Sequence, residues 1–303
     1  MKFIKLKLAA TVLAALGTML ATSAQAEDTI AKVKASGSIT MGVRDSSGAL
    51  SYTLGDGKYA GYHYDICNRI IASLEKAVGR KVETKLQLVT SQNRVPLVQN
   101  GTVDIECGST TNNATRQKDV AFLNTVYMEQ VRIAVKAKSG ISSIAQLNGK
   151  SVATTTGTTT VQLLRKNERA TGIDFKEVFG KDHADSFLLL ESDRAEAFVM
   201  DASILIGNIV NSKTPGDYKI VGEPLSLEPI GIMIRRDDPA FKKIGNDVIA
   251  DLVKSGEIAK IYDKWFVNPI PPKNISVNMP VTAETKTAWA NLNEKPAEDF
   301  VKK

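Results

Sequence analysis

Val131-Arg132-Ile133-Ala134-Val135-Lys136-Ala137 and Pro229-Ile230-Gly231-Ile232-Met233-Ile234-Arg235-Arg236 decide how this chain folds. Each is an extended, β-rich segment with no helix directly between its flanking units, in a sequence that otherwise alternates strands with helices. Both read as strands crossing from one half of the molecule to the other. If the chain leaves a first lobe at the earlier segment and returns at the later one, the middle of about 100 residues forms a second lobe. Both ends then share the first lobe. A double crossing of this kind makes a hinge, and the cleft between hinged lobes is where small ligands sit. Periodicity alone leaves one alternative open, a single doubly wound sheet.

Outward from the crossings, short β-branched runs alternate with amphipathic stretches, so the class is α/β with parallel strands joined by helices. Ser38–Val43 reads as a strand and Asp65–Val78 as a helix, with Ile66, Ile70, Ile71, Leu74 and Val78 on one face and Gly79 as its stop. Val82–Val89 returns as a strand, Pro96–Gln99 as a short helix and Val103–Glu106 as a strand. Beyond the first crossing come strand Ser151–Thr154, a helix near Thr159–Glu168, strand Phe175–Val178, a helix near Ser186–Ser192 and strand Ala197–Met200. Strands at Lys219–Val221 and Pro229–Ile234 precede two C-terminal helices, and the polar tail from Val281 reads as surface helix or irregular chain.

The 303 residues are 43% hydrophobic and 24% charged, a globular composition that excludes a collagen-like or wholly disordered chain. Lys2, Lys5 and Lys7 precede an apolar run from Leu8 to Leu20 and then Ala24-Gln25-Ala26, the pattern of a secretory signal cleaved near Ala26. The run is too short for a membrane span, which needs about 20 apolar residues. Removing those lysines halves the net charge of +6. No basic run remains to track a phosphate backbone, so no nucleic-acid partner is expected. Export puts Cys67 and Cys107 in an oxidising compartment, where a disulfide is the favoured reading and two buried thiols the alternative. Their pairing requires the helix carrying Cys67 to pack over the strand carrying Cys107. Two His and two Cys lack zinc-finger spacing, so no metal is expected.

Nucleophile-elbow, zinc-protease, Walker and dinucleotide fingerprints do not occur in the sequence, and no cofactor is expected. What stands out is a set of polar residues at strand-to-helix turns, where ligands bind in open α/β sheets. Gly108-Ser109-Thr110-Thr111-Asn112-Asn113 reads as a turn leaving a strand, with Arg116 in the first turn of a following helix. Hydroxyls and free N–H groups there suit a carboxylate that a guanidinium grips in two-pronged fashion. Thr154–Thr160 makes a second hydroxyl-rich turn around Gly157.

The chain resembles the polar amino-acid binding proteins of bacterial ATP-binding-cassette importers, most closely their glutamate/aspartate branch. The resemblance spans nearly the whole exported chain. It is carried by Thr90-Ser91-Gln92-Asn93-Arg94, Glu106-Cys107-Gly108-Ser109-Thr110-Thr111-Asn112-Asn113, Lys181-Asp182-His183-Ala184-Asp185-Ser186-Phe187, Met200-Asp201 and the segment Tyr262–Pro272. It implies the two-lobed type II periplasmic-binding-protein fold with two hinge-crossing segments. The expected division is a signal peptide over 1–26, a first lobe over 27–132 and 232–280, a second over 133–231, and an extension over 281–303. It also implies a site in which Arg116, Ser109 and Thr111 hold the ligand's α-carboxylate, with Thr159 and the Gly157 turn closing from the opposite lobe. Asp201 then takes the α-ammonium, while Arg44, Ser91, Arg94 and His183 surround the side-chain carboxylate. The implied partners are L-glutamate or L-aspartate and a membrane permease, with the protein a periplasmic monomer rather than an enzyme.

Plainer readings stand beside these. Arg44 and Arg94 also suit surface ion pairs, Asp201 a helix cap, and His183 a structural hydrogen bond. His63, between Tyr62 and Tyr64, reads as structural, and Trp265 and Phe266 as core. A dehydratase-like enzyme on the same scaffold, with Asp201 as acid or base, and a sensor docking on a membrane receptor are the competing functions.

Overall fold

The structure is a computed structural model that describes residues 28–300. The expected signal peptide and its cleavage site lie outside the described residues.

The first lobe opens with α1 (Thr29–Ser36) and β1 (Ser38–Val43), followed by the small antiparallel strands β2 (Ser46–Ser47), β3 (Ser51–Gly55) and β4 (Lys58–Ala60). Helix α2 (Tyr62–Val78), strand β5 (Glu83–Leu88), helix α3 (Arg94–Gln99), strand β6 (Ile105–Thr111) and strand β7 (Val120–Phe122) complete its first pass. The apolar stripe predicted for α2 is buried along Ile66, Ile70, Ile71, Leu74 and Val78, and Gly79 ends the helix in a left-handed cap. Strand β8 (Tyr127–Lys136) crosses into the second lobe. There β9 (Ser151–Thr155), α4 (Thr159–Thr171), β10 (Lys176–Gly180), α5 (His183–Glu191), β11 (Ala197–Asp201) and α6 (Ala202–Asn211) follow in turn. Strand β12 (Tyr218–Arg235) crosses back to α7 (Pro239–Lys254), α8 (Glu257–Tyr262) and α9 (Ala283–Ala290).

One sheet runs β10-β9-β11-β8-β12-β6-β1-β5. Its two ends have the same plan, three parallel strands closed by one antiparallel crossing strand. The crossing strands β8 and β12 pair with each other along their length. The sequence separates β12 into two strands, whereas the structure makes it a single strand of 18 residues. The pairing slips between Val221 and Ser226, across a stretch that holds Gly222 at φ 72° and Pro224. Proline cannot donate to a ladder, which is why this stretch reads as a break from sequence.

Hydrophobic packing separates on either side of the crossing. The first lobe buries Ile39, Met41, Ile66, Ile70, Ile232 and Phe266 in one cluster. The second buries Val131, Ile133, Val152 and Val199 on one face of its sheet and Ala134, Phe187, Phe198 and Leu205 on the other. Each buried cluster lies on one side of the crossing, which argues against the single doubly wound sheet. Cys67 on α2 is bonded to Cys107 on β6 with Cα atoms 6.3 Å apart, so the helix does pack over the strand. Trp265 and Phe266 are buried as expected, and Phe266 stacks on Tyr262 and Tyr127. Among the described residues no helix is long and apolar enough to cross a membrane.

Candidate functional site

The nine predicted residues fall at the C-terminal ends of the parallel strands, on facing walls of the cleft between the lobes. Arg44 follows β1, Ser91 and Arg94 follow β5, and Ser109 and Thr111 end β6 with Arg116 just beyond. Across the cleft, Thr159 starts α4 after β9, His183 starts α5 after β10, and Asp201 ends β11.

At one end of the cleft Arg44 is fully buried and Arg94 is 2% exposed, which removes the surface-ion-pair reading. Arg44 Nη2 donates to Ser91 Oγ at 3.1 Å and to Asp182 Oδ1 at 2.7 Å. Its Nε and Nη1, the Nε and Nη1 of Arg94, and Nε2 of His183 are buried with no hydrogen-bond partner among the described residues. His183 Nδ1 lies 2.9 Å from Thr155 Oγ1. Burial and the Arg44 charge push the His183 imidazole down to about 3, so it is neutral near pH 7. Burial, then Arg116 and Arg44, disfavour the charge on Arg94, with Glu106 and Asp201 opposing them. Buried cationic donors without acceptors are rare because the desolvation they suffer goes uncompensated.

At the other end the charge reverses. Asp201 is 2% exposed, and although it occupies the N-cap position of α6, its side chain makes no capping bond. Its Oδ1 has no partner among the described residues, and burial together with Glu129 and Glu228 raises its carboxyl well above the ordinary range. The capping alternative for Asp201 therefore fails. Between the two ends, Arg116 Nη1 donates to the Thr111 carbonyl at 2.8 Å and Nη2 to the Gly157 carbonyl at 3.3 Å in the other lobe. Thr111 and Thr159 donate from opposite lobes to Glu228 Oε2, at 2.7 and 2.9 Å. Ser109 Oγ donates to Ser47 Oγ at 3.0 Å.

The lobes are in contact. Gly157, at φ 80°, lies so close to the first lobe that a Cβ there would stand 2.7 Å from Gln92 Cα. Glycine is required by both the dihedral and the approach. Gly108 is likewise hemmed in, since a Cβ would meet Glu106 Oε1 at 2.1 Å and Arg44 Cγ at 2.8 Å. Cavities of about 220 Å³, between the β2–β3 turn and α6, and about 470 Å³, beside Arg116 and Thr159, flank the polar cluster. Neither reaches Arg44, Arg94 or Asp201. A ligand enters that cluster only if the lobes separate.

Two local readings need correction. Residues Gly108–Thr111 do not leave the strand but extend β6, because Thr110 and Thr111 pair with Gly231 and Ile230 of β12. Arg116 begins a single 3-10 turn, Arg116–Lys118, rather than a helix. His63 is structural as read, with Nδ1 2.7 Å from the Gly108 carbonyl. Sequence reasoning missed the acidic side of the cleft. Glu106 is buried near Arg94 and Arg116, Glu228 near Arg116 and Glu129 near Asp201, while Asp182 pairs with Arg44. The available signal was an ionisable residue inside each crossing strand, Glu129 in β8 and Glu228 in β12.

A closed interlobe cleft lined by buried, opposed charges defines a small-molecule binding protein of the two-lobed, hinged class. Residues 39–268 match the bacterial extracellular solute-binding proteins, family 3, and the chain belongs to that family. It is 43% identical over 280 residues to the glutamate/aspartate import solute-binding protein of Escherichia coli, covering 90% of this chain and 93% of that one. The L-glutamate/L-aspartate-binding protein of Pseudomonas aeruginosa is also 43% identical, over 90% of this chain and 91% of its own. Among solved structures, a mutant of ArgBP from T. maritima superposes with a TM-score of 0.70 at 26% identity, over 78% of this chain and 98% of that one.

Proposed function

We propose that the protein captures free L-glutamate or L-aspartate in the interlobe cleft, outside the cytoplasm, and presents the closed form to the membrane permease of an ATP-binding-cassette importer. The observation that carries this reading is the opposition of buried donors on Arg44 and Arg94, and the buried Nε2 of His183, to the buried acceptor Oδ1 of Asp201, all without hydrogen-bond partners among the described residues. A dicarboxylic amino acid has the complementary charges, with an ammonium for Asp201 and a side-chain carboxylate for Arg44, Ser91, Arg94 and His183. Arg116, Ser109, Thr111 and Thr159, with the N-terminus of α4, take the α-carboxylate. A neutral side chain leaves buried guanidinium donors unpaired, which selects by rejection. About ten non-hydrogen atoms suffice for roughly −8 kcal/mol, micromolar binding.

The lobes we assign are 27–132 with 232–280, and 133–231, with 281–303 as an extension. Ligand contacts from both lobes stabilise the closed state over the open one, and that state is the signal. The protein is a periplasmic monomer that makes and breaks no bond. Calorimetric titration of ligand-stripped protein against the twenty amino acids tests the ligand, and recovery of glutamate unchanged after incubation tests the absence of catalysis. Conversion of glutamate to another product would turn the reading to the dehydratase-like alternative.

A further inference from the structure

Asp182 occupies the N-cap position of α5, yet its side chain accepts no hydrogen bond from that helix. An aspartate in this position ordinarily satisfies an N–H of the first turn. Here the Ala184 N–H donates at 3.1 Å to Ser46 Oγ, which belongs to the other lobe. Asp182 in turn reaches out of its own lobe, where Oδ1 accepts from Arg44 Nη2 at 2.7 Å and Oδ2 from Ser46 Oγ at 2.9 Å. Three hydrogen bonds thus join the lobes through one helix terminus.

We propose that Asp182 is a cross-lobe latch and a positioning residue: in the open protein it caps its own helix, and on closure it leaves that cap to Ser46 and takes Arg44 instead. The exchange keeps the first turn of α5 satisfied in both states, so the fold of the second lobe does not depend on closure. What closure adds is a charge-assisted pair between a buried guanidinium and a part-buried carboxylate. The same pair aims Arg44. A guanidinium is planar and rigid, so fixing Nη2 between Asp182 and Ser91 sets the directions of the remaining Nε–H and Nη1–H groups. Those two nitrogens are the ones without partners among the described residues. The inference rests on the proposed ligand site, because Arg44 matters to ligand affinity only there.

The discriminating variants are Asp182→Asn, which can still cap the open helix, and Ser46→Ala, which removes only the cross-lobe bonds. Stopped-flow binding of L-glutamate should show dissociation accelerated about fivefold or more in each, with association within about twofold of wild type. The melting temperature of the ligand-free protein should stay unchanged in both. Asp182→Ala should speed dissociation as well and also lower the ligand-free melting temperature, since it removes the cap of the open state. Unchanged dissociation in Asp182→Asn and Ser46→Ala overturns the latch. So does an equal loss of stability with and without ligand, which marks a merely structural role. If the wild type takes up neither glutamate nor aspartate, the proposed ligand fails on its own. The latch is then judged in ligand-free protein from the distance between spin labels on the two lobes. Asp182→Asn should widen that distribution, and an unchanged distribution overturns the latch.

Discussion

Glu129 and Glu228 face each other as register partners across the two crossing strands, β8 and β12, and both are buried. Like charges directly opposite in a sheet destabilise it. The arrangement survives because each carboxylate has hydrogen-bond donors. Glu129 accepts from the Ser203 hydroxyl and, at 2.9 Å, from the Gln130 N–H. Glu228 accepts from Thr111, Thr159 and Ser226. Burial nevertheless pushes Glu129 up to about 7, with Glu228 adding to the rise and the hydrogen bonds opposing it.

That shift sets a pH dependence of stability. The folded value lies above the ordinary value of 4.5, so the fold favours the protonated form. The contribution is fully present below about pH 4.5 and is lost as pH rises through about 7. Glu129→Gln removes this slope. It should stabilise the protein at pH 8 by up to roughly 3 kcal/mol and change little at pH 4. Urea unfolding at the two pH values checks this, and an equal effect at both contradicts it.

Arg94 and Arg116 should separate by ligand class. Arg116 joins the carbonyls of Thr111 and Gly157 from opposite lobes, in the part of the cleft proposed for the α-carboxylate. Arg116→Ala should weaken every amino acid that binds, by about 100-fold. Arg94→Ala should chiefly harm the acidic ones. Calorimetry with glutamate, aspartate and glutamine reads the difference, and equal losses across all ligands for Arg94→Ala would refute two separate carboxylate pockets.

Gly157→Ala should block closure more than folding. The added methyl would meet backbone atoms of Gln92 and Ser91, which have no flexible side chain to move aside. The positive φ adds about 1 kcal/mol of strain to the fold itself. Affinity should fall at least about tenfold while ligand-free stability falls by no more than that strain. Small-angle scattering with saturating glutamate should find the variant more extended than wild type.

The closed loop between Cys67 and Cys107 spans 40 residues. Chain entropy for such a loop corresponds to about 4 kcal/mol. Cys67→Ser with Cys107→Ser should lower stability by an amount of that order, measured by urea unfolding against the oxidised wild type. A change below about 1 kcal/mol would show that the bond contributes little to the folded state.

Much of the fold is legible because burial and period coincide. Strand Ser38–Val43 and the stripe of α2 are read directly, and the two crossings stand out because nothing helical separates them from their neighbours. Helix α6 is harder to see. Ala202–Asn211 packs against the β2 and 3-10 segments of the first lobe as well as its own, so its apolar residues do not collect on one face. The hairpin strands from Ser46 to Ala60 are short and polar, and α6 and α2 supply their packing. In the site, strand ends and residue types point to Arg44, Arg94, Arg116 and Asp201. The partners Glu129 and Glu228 depend on strand register, and the Asp182 contact depends on two lobes meeting. Neither relation is local in sequence.

The most direct measurement compares L-glutamate with L-glutamine on ligand-stripped protein in one calorimetric series, since the two share size and shape and differ in a single charged group. Buried guanidinium donors at the side-chain end predict glutamate binding at about micromolar or tighter, with glutamine weaker by about 100-fold or more. Equal affinities, or a preference for glutamine, would contradict a cleft built around an acidic side chain.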